Sequence, residues 1–176
     1  MTIINFILFN FIIYSISGYF IEGIYNYAIE GSFKKKGFLK GPYKPMYGIA
    51  FTIIVVLEYY LNLSIISKLI VYLIIPTLIE FISGYLLIKI FNEKYWDYSD
   101  LKFNYMGLIT LKFSIYWAIL SFIGVTYIVP FINNFYFNLE KYIAILNIGA
   151  ILVMIVDFIY IINIKENIIK SRLINP

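Results

Sequence analysis

Five stretches of the sequence, at about residues 3–28, 46–63, 69–91, 105–131 and 142–164, are apolar over lengths near 20 residues and carry almost no charge. At 1.5 Å per residue, a helix of about that length crosses the roughly 30 Å hydrocarbon layer of a bilayer. Lipid offers the backbone no hydrogen-bond partner, so runs of this kind must satisfy their own N–H and C=O groups, which a helix does within one segment. Composition agrees: with 62% hydrophobic and 20% aromatic residues and a mean hydropathy of +0.85, too little polar surface remains to enclose a water-soluble globule. The expectation is an all-α fold, an integral membrane bundle of five transmembrane helices forming a single membrane domain over residues 1–176.

The first run opens without a positively charged n-region and ends without a small-residue cleavage site, which predicts a retained helix and not a signal peptide. Lysine and arginine set the orientation. The connection at 30–45 holds Lys34, Lys35, Lys36, Lys40 and Lys44, that at 92–104 is flanked by or holds Lys89, Lys94 and Lys102, and the tail at 165–176 holds Lys165, Lys170 and Arg172. With five spans these eleven of the 14 basic residues fall on one side, leaving Lys68 and Lys141 opposite and Lys112 within the membrane. The N-terminus is therefore expected outside and the C-terminus in the cytoplasm. Contact with lipid headgroups accounts for the net charge of +4, so no nucleic-acid partner is called for.

Cysteine and histidine are both absent, which removes disulfides, thiol nucleophiles and the commonest transition-metal ligand. No metal and no cofactor is called for. Attention falls on the charges inside the spans. A carboxylate at a helix centre costs roughly 2.5–3.5 kcal/mol on insertion scales, so it normally faces protein or water. Glu22 shares a face with Ser15, Gly18 and Tyr25; Glu80 follows the helix-kinking Pro76 by one turn; Asp157 and Lys112 lie in the fifth and fourth spans. The predicted topology puts all four at similar depth in the cytoplasmic half, where three acids and one base can meet. Against this, Glu22 lies near enough to a span end to reach headgroups, and the Lys112 ammonium can snorkel to the interface.

Two loops complete the pattern. From Gly31 to Pro45 glycine, proline and lysine alternate, and Pro45 is suited to the first position of a helix. The loop fits either a topology-fixing lysine cluster or a turn in which backbone amides near Gly37 and Gly41, helped by Lys36 and Lys40, close around an anionic group. The second loop, Trp96-Asp97-Tyr98-Ser99-Asp100, is polar and aromatic and leads into a span expected to carry Asn104, Gly107, Ser114 and Trp117. Asp97 is placed to pair with Lys36 across the adjacent loops, at small energetic gain.

Glu22, the run Gly37-Phe38-Leu39-Lys40-Gly41-Pro42 with Pro45 and Tyr47-Gly48, Glu80 with Gly84, and Trp96-Asp97-Tyr98-Ser99 with Asn104, Gly107, Ser114 and Trp117 together resemble the ABC-transporter type IV permease family of small bacterial membrane proteins. The resemblance covers roughly Gly18 to Leu120. It departs at Lys35-Lys36, where the family has Asn-Arg, and at Leu108, where it has a basic residue; a lysine does not reproduce arginine's planar fork. It implies a multi-pass protein of the bacterial cytoplasmic (inner) membrane. The chain has no phosphate-binding P-loop, so an ATPase partner would be a separate subunit docking on the cytoplasmic loops, with Trp96–Asp100 as the candidate surface.

Three functions fit. The first is a permease-like transport protein with a polar cavity, lined by Glu22 and Glu80, open to the cytoplasm; five short helices barely surround a pathway, which favours a homo-oligomer. The second is a membrane-embedded enzyme or binding protein for an anionic lipid or isoprenoid phosphate, with Glu80 or Asp97 as general base. The third is a non-transporting partner or assembly factor for another membrane protein.

Overall fold

A computed structural model describes residues 3–33 and 37–174, and the side chains within that range except Glu140 and those beyond Lys165. Helices α1 (Ile3–Glu30), α2 (Pro45–Tyr60) and α3 (Ile65–Phe91) are followed by a two-stranded hairpin, β1 (Asn104–Tyr105) and β2 (Ile109–Thr110), then α4 (Leu111–Ile123), a π-helical turn (Gly124–Ile128) and α5 (Val129–Ile174). Among the described residues four helical segments are long and apolar enough to cross a membrane: Ile3–Glu30, Ile65–Phe91, Leu111–Leu139 and Lys141–Lys165. Helix α2, with 16 residues, reaches about 24 Å and is shorter than the hydrocarbon layer.

The last helical stretch doubles back on itself, as its contacts with α1 show. Gly124 abuts Phe51, whose ring lies 4.5 Å from that of Tyr14, and Tyr136 packs 5.3 Å from Phe6, so this limb descends along α1. Beyond the reversal the Asn147 amide donates to the Asn5 carbonyl at 2.9 Å, and Asp157 reaches the segment just before α2, so the second limb ascends. The loops at 37–45 and 92–110 and the residues around Lys165 thereby gather at one end of the bundle, where Lys165 bonds Glu93 at 2.5 Å. The opposite end carries the α2–α3 connection, with Lys68 bonded to Glu58 at 2.5 Å.

Helix packing depends on missing side chains. A Cβ at Gly48 would lie 2.0 Å from the Ser15 hydroxyl and 2.5 Å from the Phe11 carbonyl, and one at Gly18 would lie 2.3 Å from the Tyr47 ring, so α1 and α2 meet almost backbone to backbone. This is how membrane helices associate when lipid supplies no hydrophobic drive between them. The largest buried cluster joins Phe6, Phe9 and Tyr14 of α1, Val55 of α2, and Val129, Tyr136 and Ile143 of α5. Ile66 at 68% and Ile145 at 74% exposure face outward, as suits lipid.

Two prolines shape the helices from within. Pro76 is buried inside α3, and Thr77 turns its hydroxyl onto the Leu73 carbonyl at 2.7 Å. Pro130 has no N–H to offer Thr126, and directly before it Val129 donates to the Gly124 carbonyl instead, an i→i+5 bond that opens the π turn.

The expected fourth span, 105–131, is corrected at its start. Residues 105–110 belong to the hairpin, which starts at Asn104 and pairs Asn104 with Thr110 and Tyr105 with Ile109. The helix begins only at Leu111 and continues through the π turn into α5. The cause is the turn itself: the Asn104 carboxamide accepts from the Gly107 amide at 3.1 Å and donates to the Leu101 carbonyl at 2.7 Å, while Gly107 adopts φ +66°. An asparagine that caps its own turn competes with helix formation.

Candidate functional site

Glu22, late on α1, forms an ion pair with Lys44 and accepts from the Tyr47 hydroxyl at 2.8 Å. Pro45 starts α2 at its first turn, so Lys44 and Tyr47, three residues apart, both present to α1, and Gly18 leaves room for the Tyr47 ring. Glu80 on α3 is only 4% exposed. Its Oε1 accepts from the Tyr98 hydroxyl at 2.9 Å and its Oε2 from the Trp117 indole at 3.0 Å. The Tyr47 and Trp117 rings lie 5.2 Å apart. A continuous series therefore runs from Lys44 through Glu22, Tyr47 and Trp117 to Glu80 and Tyr98.

The hairpin loop delivers Tyr98 to Glu80. The Trp96 indole donates to the Leu108 carbonyl at 2.8 Å and lies against Gly84, where a Cβ would come within 2.9 Å of both Trp96 and Leu108. The Tyr98 amide donates to the Gly107 carbonyl at 2.8 Å. Asp97 accepts from the Ser99 amide at 2.9 Å and its hydroxyl at 2.5 Å, and pairs with Lys94 at 2.8 Å. Lys94 and then Ser99 hold the Asp97 carboxyl down at about 2. Burial first, and then the charge of Glu80, push the Tyr98 phenol well above its ordinary range, so it stays a donor at every physiological pH.

These groups border one cavity of about 780 Å³, whose wall includes Glu22, Lys44, Tyr47, Glu80, Tyr98 and Trp117. Gly37, Lys40, Gly41, Pro45, Trp96 and Asp97 also contribute to it. Its size lies within the range of about 300–1,000 Å³ common for small-molecule sites.

Asp157 stands apart from the two glutamates. Its Oδ2 accepts from the backbone amides of Lys40 and Gly41, both at 3.0 Å, and from the Tyr43 hydroxyl at 2.8 Å. Gly41 is required there because a Cβ would fall 2.2 Å from the Tyr43 ring. Lys40 extends over Tyr160, 4.2 Å from the ring centroid and 3.1 Å from its hydroxyl. The amides expected to close around an outside anion thus close around an internal carboxylate. Burial, reinforced by Asp157, raises the Tyr43 phenol.

Lys112 joins none of the three acids in the ion pairs of the described residues: it is exposed and lies 5.9 Å from the centroids of Phe113 and Tyr116. Ser114 is buried but bonds its own helix, donating to the Thr110 carbonyl at 3.1 Å. Asn104 builds the hairpin, and Pro42 is exposed. Lys36, proposed to help hold an anion and to pair with Asp97, lies outside the described residues. Sequence reasoning missed Lys44 and Tyr43 as the partners of Glu22 and Asp157. The available signal was their place beside Pro45, where a helix start fixes the direction of its flanking side chains.

No solved structure matches the chain. A family model described as "Putative ABC-transporter type IV" matches residues 9–162, a stretch that contains every residue of the cavity wall described above. On that match, the chain belongs to the putative ABC-transporter type IV family.

Proposed function

We propose that the chain is a permease-like transport protein whose pathway is the cavity bordered by Glu22 and Glu80, opening toward the cytoplasm. One observation carries the reading: two acids from separate helices, costly to place in a membrane, border the same hollow and are joined through Tyr47 and Trp117. The orientation is supported by Lys40, Lys44, Lys94 and Lys102 lying in the loops at the cavity end. On this reading α2 is a fifth, short membrane segment, and the protein resides in the bacterial inner membrane with both cavity loops inside.

If an ATPase drives transport, its docking surface is better sought along the exposed side of residues 103–106 than at Trp96–Asp100. Trp96 and Tyr98 turn inward to Leu108 and Glu80, whereas Phe103 is 80% exposed and Tyr105 and Met106 stand beside it. The phosphate-binding alternative has less support, since Asp157 already occupies the amides of Lys40 and Gly41.

The native chain has no cysteine, so single cysteines can report access to solvent. A Ser83→Cys variant, one turn from Glu80 and on the cavity wall, should react with a membrane-impermeant thiosulfonate in inside-out vesicles and not in right-side-out ones. Absence of labelling from the inner face, with Ile145→Cys as the lipid-facing control, would sink the reading.

A further inference from the structure

Resting on the reading of this cavity as a binding site, we propose that it takes a monovalent organic cation with an apolar or aromatic body, and that Glu80 is the carboxylate its charge meets. The acids of this protein differ in what they hold. Glu22, Glu58, Glu93 and Asp97 each pair with a lysine ammonium. Glu80 is the most buried of these acids at 4% exposure, yet among the described residues it has only the neutral donors Tyr98 and Trp117. A carboxylate oxygen accepts more than one hydrogen bond, so each oxygen of Glu80 retains room for a further partner. A buried charge without a counterion is held at a cost that two neutral hydrogen bonds offset only in part.

The cavity fits such a partner in size and in lining. Its volume of about 780 Å³ accommodates a body of drug-like size. Tyr47, Trp96, Tyr98, Phe113, Tyr116 and Trp117 supply aromatic surface on the same wall as Glu80, and the face of such rings attracts a desolvated cation. An anionic guest would meet a lining with five acids, Glu22, Glu30, Glu80, Asp97 and Asp100, against two lysines; of these Lys44 is paired with Glu22 and Lys40 lies over Tyr160. A metal ion lacks ligands: the described residues contain no group of three or more acids that could hold one. A proton would neutralise Glu80 but leaves the aromatic hollow unexplained.

Both tryptophans of the chain border the cavity, so intrinsic fluorescence reports its occupancy directly. The full chain in nanodiscs is titrated with tetraphenylphosphonium and, separately, with tetraphenylborate, an anion of the same shape; protein-free nanodiscs are subtracted. Saturable quenching by the cation, at least tenfold tighter than by the anion, is expected. Glu80→Gln should weaken cation binding at least tenfold, whereas Glu58→Gln at the far end of the bundle should leave it unchanged. Equal binding of the two ions by the native chain overturns the proposal without needing any variant, as does native-like cation binding by a folded Glu80→Gln protein. The two readings fail separately. Ser83→Cys left unlabelled from the inner face removes the cavity's access. Labelling from that face, with no quenching and no protection by tetraphenylphosphonium, removes only the cation.

Discussion

Tyr98→Phe removes one hydroxyl and leaves Glu80 Oε1 without its donor while changing little else in shape. Leaving a buried acceptor unsatisfied costs about 1–3 kcal/mol. The variant should melt at lower temperature in detergent; an unchanged Tm would mean that the bond contributes nothing. Gly107→Ala should also destabilise. Its φ of +66° disfavours any side chain, and a Cβ would lie 2.5 Å from the Ser99 hydroxyl and 2.6 Å from the Asp97 carboxylate. Displacement of the loop should shift the emission of Trp96, which distinguishes it from a general loss of fold. Asp97 predicts a pH dependence. Its carboxyl is depressed in the folded chain to about 2 from an ordinary value near 3.9, so the unfolded chain binds the proton more readily. The stabilisation from Asp97 is therefore complete above about pH 4 and is lost as pH falls toward 2. Asp97→Asn should flatten that acid limb in a melting series. At this scale a sequence names the costly residues, Glu22, Glu80 and Asp157, but not their partners. Which side chain faces an acid depends on helix rotation, and Lys44 and Tyr43 become visible only once Pro45 fixes where α2 starts.

Helix α2 lies against α1 where both have small residues, and Gly48→Ala tests that approach. The added methyl would meet the Ser15 hydroxyl at 2.0 Å and the Phe11 carbonyl at 2.5 Å, so a helix must move. Overpacking of this kind costs roughly 1–3 kcal/mol, measurable as a lowered Tm, and the outward shift of α2 should weaken the bond from Tyr47 to Glu22. At the scale of elements, apolar length was the legible quantity, because hydrocarbon thickness fixes it. What it does not encode is where an apolar run stops being helix. Residues 105–110 include Met106, Leu108 and Ile109 and adjoin an apolar span, yet Asn104 and Gly107 three positions apart close a turn there. The π turn before Pro130 is equally local, set by a missing N–H.

Across the whole molecule the two loops, the cavity and Lys165 share one end, while the α2–α3 connection and the reversal of the last helical stretch share the other. Counting lysines along a chain groups loops onto one end of a bundle, since that follows from position within each span. It cannot read azimuth. Glu22, Glu80 and Asp157 fall at related depths, yet Glu22 and Glu80 border the cavity wall with Tyr47 and Trp117 between them, and Asp157 turns to the amides of Lys40 and Gly41. A reporter enzyme active only outside the cytoplasm, fused after residue 63, should be active, and one fused after residue 102 should be silent. The reverse pattern would invert the orientation proposed for the cavity.

The contact of Asp157 with Lys40, Gly41 and Tyr43 spans 114 to 117 positions of sequence. During biosynthesis the first loop is therefore made long before the carboxylate that completes it, and it must wait, its two amides and one phenol without their partner, until the final limb leaves the ribosome. Nascent chains halted before residue 157 should show a protease-sensitive first loop that becomes resistant on completion. The last segment to be inserted thus locks the earliest turn, and maturation is reported at the site where synthesis of the bundle began.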